Sequence, residues 1–80
     1  MEEILDSIKE LKDLYTEKMK EAETDADRQF FKSQISAVNS AIRAIKNGKG
    51  LGEWLGTYKN TEECSYALTD LYDIYFNFLE

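Results

Sequence analysis

Hydrophobic and polar positions alternate along this chain with the period of a helix, most regularly between Phe31 and Ile45. Phe31, Ile35, Val38, Ile42 and Ile45 recur at spacings of four, three, four and three residues. That is the seam of a helix packed against another helix. A second stripe runs beside it: Phe30, Gln34, Ala37, Ala41, Ala44 and then Gly48. Its residues are mostly small, so a neighbouring backbone can come close. A helix with two packing faces is a central helix, and the flanking segments are expected to lay apolar faces on it.

From Glu2 to about Glu23 a heptad template fits. Met1, Ile8, Tyr15 and Ala22 take one seam position, Ile4, Leu11 and Lys18 the other, and Leu5, Leu14 and Met19 widen the stripe. Lys18 breaches the seam, where its stem can pack while the ammonium reaches water. Thr24 then offers an N-cap, with Asp25 and Asp27 in the favourable first turn of a second helix from about Asp25 to Lys46. Both helices would be roughly 33 Å long at 1.5 Å per residue, and so short a connection implies an antiparallel hairpin. Charge supports the pairing: residues 1–23 hold eight acids and four lysines, residues 24–50 five bases and two acids.

Asn47 and Gly48 tolerate the left-handed conformation that closes a helix. Leu51, Trp54, Leu55 and Tyr58 predict a short helix of two turns, which Gly52 and Gly56 weaken by about 1 kcal/mol each, so that Trp54 is needed as its anchor. Asn60 or Thr61 is expected to cap the last helix, with Glu62 and Glu63 in its first turn. Its stripe is Cys64, Leu68, Leu71, Tyr75 and Phe78, widened by Ala67, Ile74 and Leu79, and should cover the alanine side of helix two. Residues 51–80 carry six acids against one lysine, which would place the basic middle helix between two acidic layers. The expected fold is all-α: a long antiparallel helical hairpin, a short third helix, and a C-terminal fourth helix packed on helix two, in one domain spanning 1–80.

Composition narrows the chemistry. Proline is absent and the four glycines lie between positions 48 and 56, so breakers are confined to one window. The net charge of −6 disfavours direct nucleic-acid binding and anionic membranes, and suits a partner protein with a basic surface. No apolar run approaches a membrane span, and Met1-Glu2-Glu3 is not a signal-peptide start. A lone cysteine fits a reducing compartment, and the expected location is cytoplasmic. With no histidine and one cysteine, neither a thiolate–imidazole pair nor a zinc set can form. Gly48-Lys-Gly-Leu-Gly52 meets neither the dinucleotide fingerprint nor the P-loop spacing. The expectation is a non-enzymatic protein without metal or cofactor.

Tyr72 to Glu80 holds six apolar or aromatic side chains, more than one helix face can bury. Surplus apolar surface marks interfaces. The expected partner contacts are Trp54, Tyr58, Tyr66, Asp70, Asp73 and Phe76, the rings as anchors and the carboxylates steering toward a basic surface. The same C-terminal aromatics could instead close a homodimer. An alternative site is an anion pocket built from Arg28, Lys32, Arg43, Lys46 and Lys49.

The segment Met1 to Asn47 is an acidic helix, an Asp-rich turn and then Arg28-Gln-Phe-Phe-Lys-Ser-Gln-Ile-Ser-Ala-Val-Asn-Ser-Ala-Ile42. It resembles a helical hairpin common among small phage and prophage proteins, some of which are anti-CRISPR inhibitors that occupy a basic groove on their target. The resemblance implies a phage or mobile-element inhibitor of a host defence protein such as a CRISPR effector, acting in the cytoplasm of a bacterial host. Lys32-x-x-Ile35 followed by Ala41-Ile-Arg-Ala-Ile45 also resembles the second helix of phage hairpin proteins that sequester cyclic oligonucleotide signals as homo-oligomers. That likeness implies ligand contacts by the helix-two bases. The tryptophan those proteins carry on that helix is missing here, and Trp54 lies elsewhere, so individual contacts do not transfer.

Overall fold

Thr24 decides where the central helix begins. In the computed structural model, which describes residues 2–59 and 62–78, its extended backbone stops the preceding turn and its Oγ1 accepts a 3.1 Å bond from the amide of Asp27. Helix α2 then runs over Asp25–Lys46, the bounds expected from the sequence. It closes on Asn47 and on Gly48, whose φ of 92° is open to glycine at no steric cost. The amides of Gly48 and Lys49 return to the carbonyls of Ile45 and Ala44 at 3.0 and 2.9 Å, a Schellman closure that satisfies two orphan carbonyls. Helix α1, Glu2–Glu21, ends two residues short of the expected Glu23. The two form the antiparallel hairpin.

Helix α3 (Leu51–Thr57) buries Leu51, Trp54 and Leu55, while Tyr58 caps it, half-buried. Helix α4 spans Ser65–Asn77. It lies against α2 and also reaches α1, so the middle helix is not simply sandwiched between acidic layers. The core joins Ile8 and Tyr15 of α1, Ala37, Val38, Ala41, Ile42 and Ile45 of α2, the α3 anchors, and Cys64, Ala67, Leu68 and Leu71. Both expected stripes of α2 are therefore used. Some members of the expected stripes stay outside: Leu14 of α1, Phe30 of α2 and Phe78 at the end of α4 are exposed, as is Lys18 of α1.

The start of α4 departs from expectation. The expected cap residues Asn60 and Thr61, like the stripe members Met1 and Leu79, lie outside the described residues. Glu62 and Glu63 are in a turn before the helix rather than in its first turn, and Cys64 occupies the cap position without a side-chain cap bond. The acceptor comes from α2 instead. Gln34 is wholly buried, and its Oε1 accepts the Ala67 amide at 2.8 Å. Its Nε2 donates to the carbonyls of Glu63 at 2.8 Å and Phe30 at 3.2 Å. Cys64 Sγ donates to the Ser33 carbonyl at 3.2 Å. One amide side chain thus fixes where α4 begins, because it accepts from an amide of the first turn, a donor that the helix itself leaves unsatisfied, and donates to the carbonyl of the preceding turn.

Candidate partner-binding surface

Since α4 commits Ala67, Leu68, Leu71 and Cys64 inward, the rest of its circumference faces outward. Of the large apolar side chains exposed among the described residues, four belong to α4 or its cap: Tyr66, Tyr72, Phe76 and Phe78. Tyr72 and Phe76 stand one turn apart and stack at 6.1 Å with 23° between ring planes. Phe76 is 59% exposed, the most of any large apolar residue described. The exposed carboxylate of Asp73 lies between them in sequence. At the other end of α4, Tyr66 packs edge-on against Phe30 at 5.7 Å and tilted against Tyr15 at 5.8 Å. Ten residues separate Tyr66 from Phe76, about 15 Å along a helix, so these are two aromatic patches.

The six expected contacts therefore divide. Tyr66, Asp73 and Phe76 are on the surface. Trp54 is not: its ring is 5% exposed and its Nε1 donates to Ser40 Oγ at 3.0 Å, which fastens α3 to α2. Tyr58 stacks on that indole at 4.5 Å, and its hydroxyl lies 3.9 Å from Cys64 Sγ. Burial raises the pKa of this phenol, with the Cys64 contact adding to it. Both rings are withdrawn because α3 is too short to hold itself and must be buried by its aromatics. Asp70 also has an internal partner, accepting the buried Tyr15 hydroxyl at 2.5 Å. Burial, and secondly this carboxylate, raises the Tyr15 pKa far above that of a free phenol.

Two features escaped the sequence pattern. Tyr72 was visible at i, i+4 from Phe76 but did not stand out from its aromatic neighbours. The second is a shallow apolar groove of about 400 Å³ between α1 and α4, lined by Leu11, Leu14 and Ile74 with Ser7, Glu10 and Asp70. Leu14 lies beside the heptad seam in the sequence, but only the placement of α4 reveals that it stays exposed and lines a groove with Ile74.

The five bases of the alternative site are not brought together. Arg28 pairs with Asp25 and donates to the Ala22 carbonyl at 3.1 Å, which ties down the turn. Lys32 lines a separate small cavity with Gln29, Ser33, Ser36, Glu63 and Cys64. Lys49 is exposed beyond the helix end. Arg43 and Lys46 share a groove, but with Lys9 and Lys12 of α1. A helix displays residues all round its axis, so five bases spread over its length do not make one pocket. Among the described residues, no helix is long and apolar enough to cross a membrane. The chain matches no protein-family model, no curated protein and no solved structure.

Proposed function

We propose that this chain is a non-enzymatic binding protein that inhibits a host protein by occupying a basic site on it. The outer face of α4 is the contact. The observation that carries this reading is the stacked Tyr72–Phe76 pair, held outside the core and next in sequence to the exposed carboxylate of Asp73. Tyr72 and Phe76 keep 43% and 59% of their surface exposed, so a partner would cover about half of the roughly 150–250 Å² that a fully buried aromatic removes from water, enough for an anchor point at the centre of an interface. The stack orders both rings before binding, which lowers the entropy cost of association. The exposed Asp73 carboxylate, in a chain of net charge −6, would speed encounter with a basic surface and reject acidic ones. The likeness of the hairpin to small phage inhibitors supports a defence protein, such as a CRISPR effector, as the target.

Capture from a bacterial host lysate tests it, using the parent chain, Tyr72→Gln/Phe76→Gln and Asp73→Lys as baits. Loss of two aromatic anchors should weaken binding of the identified partner by about 100-fold or more, at roughly 2 kcal/mol per hot spot and 1.4 kcal/mol per tenfold. Asp73→Lys should mainly slow association. The captured protein should lose activity on adding the parent chain. Undiminished capture by both variants would defeat the proposal. So would a parent dimer, seen by light scattering, that the double glutamine variant converts to monomer, since the aromatics would then be a self-interface.

A further inference from the structure

Ten bases serve this chain against sixteen acids, and four of the ten line one concavity. Lys9 and Lys12 are a turn apart in the middle of α1, and Arg43 and Lys46 a turn apart at the end of α2. Helical side chains lean toward the N-terminus of their own helix. In this antiparallel pair, the α1 lysines lean away from the connecting turn and the α2 bases lean toward it, so the four long side chains converge. They line a groove of about 420 Å³ together with Asn39, Ile42 and the single acid Asp13.

The helix dipole accounts for Arg43 and Lys46 in the last turn of α2, but not for lysines in the middle of α1. Ion pairing does not account for them either. Among the described residues, none of the four lies within 4.0 Å of a carboxylate oxygen, unlike Arg28, which pairs with Asp25. Four cations sharing one concavity repel one another, and an anion between them turns that repulsion into attraction.

We propose that this groove binds a compact polyphosphate, free or carried on a nucleoside, bridging α1 and α2. Arg43 can engage a phosphate bidentately, the lysines supply point charges, and Asn39 can donate from its amide. The volume is within the range of small-molecule sites, about 300–1,000 Å³. An extended polyanion is disfavoured, because the exposed carboxylates of Asp6, Glu10 and Glu17 stand along the same helix as the lysines. This site is on different helices from the aromatic face of α4, so each can fail without the other.

The test is an amide-resolved NMR titration of the full chain with inorganic triphosphate, a nucleoside triphosphate and an oligouridine. Triphosphate and nucleotide should both shift amides of residues 9–13 and 39–46 and saturate below millimolar concentration. Lys9→Gln/Arg43→Gln should weaken both by at least about tenfold, while Lys32→Gln leaves them unchanged. If that double variant fails to fold, Lys12→Gln alone should still weaken both ligands measurably. The proposal is overturned by absence of saturable shifts, by a nucleotide that binds while triphosphate is silent, by oligouridine binding as tightly as triphosphate, or by equal damage from Lys32→Gln.

Discussion

The hairpin and the C-terminal arm are built on different physics. Helices α1 and α2 meet through repeating apolar stripes, in which Ile8, Tyr15, Val38, Ile42 and Ile45 share the burial. The arm from Leu51 onward depends on single, specific contacts. Trp54 donates to Ser40, Gln34 holds both sides of the α4 start, and the Tyr75 ring lies directly over Gly52. A stripe tolerates local loss because its neighbours remain. A point contact does not. The lesson is that the surface proposed to bind a partner is carried by the part of the molecule that few residues hold in place.

That contrast can be broken or sharpened in steps. Trp54→Ala should have the largest effect, about 3–5 kcal/mol by chemical denaturation, since it removes the only indole and its bond to α2. Gln34→Leu comes next. It keeps most of the volume but leaves the Ala67 amide and the Glu63 carbonyl without this partner. The expected loss is about 3 kcal/mol, and hydrogen exchange should accelerate at Ala67 before it does in the middle of α2.

Tyr15→Phe should cost about 1.5 kcal/mol through its bond to Asp70. It also carries a pH signature. The folded chain holds the phenol proton more tightly than the unfolded chain does, so this contribution is complete below the unfolded pKa of about 10 and declines as pH rises beyond it. Urea midpoints measured from neutral pH to about 11 should fall for the parent above pH 10, and less steeply for Tyr15→Phe. The smallest effects come from two helical glycines. At Gly56 an added Cβ would meet nothing within 4 Å, so Gly56→Ala should stabilise α3 by up to about 1 kcal/mol. At Gly52 the same atom would lie 2.7 Å from Tyr75 Oη, and alanine there should give no gain or a net loss in melting temperature.

The same contrast explains what was legible in advance. The bounds of α2 are written locally, in Thr24 and its following acids and in Gly48 at the far end. The packing stripes follow from helical period alone. The start of α4 is written elsewhere: its acceptor is Gln34, 33 residues from the amide it serves. No local cap signal could reveal that. Trp54 and Tyr58 were identifiable as aromatics needing a place, but whether they faced a partner or the core depended on where α3 docks. The basic groove required the register of two antiparallel helices, because its lysines come from the acidic helix and two of the α2 bases point away from it.

The central claim is that the inner side of α4 is committed to the fold and its outer aromatic side is spare. The thermal midpoint of Tyr72→Gln/Phe76→Gln tests this most directly. Exposed positions tolerate such changes within about 0.5 kcal/mol each, and the Tyr72–Phe76 stack adds a comparable amount. The summed loss is then at most about 1.5 kcal/mol, and the midpoint should remain within about 6–12 °C of the parent, at roughly 4–8 °C per kcal/mol for a domain of this size. A fall as deep as that of Gln34→Leu would contradict the claim, because those rings would then be part of the core.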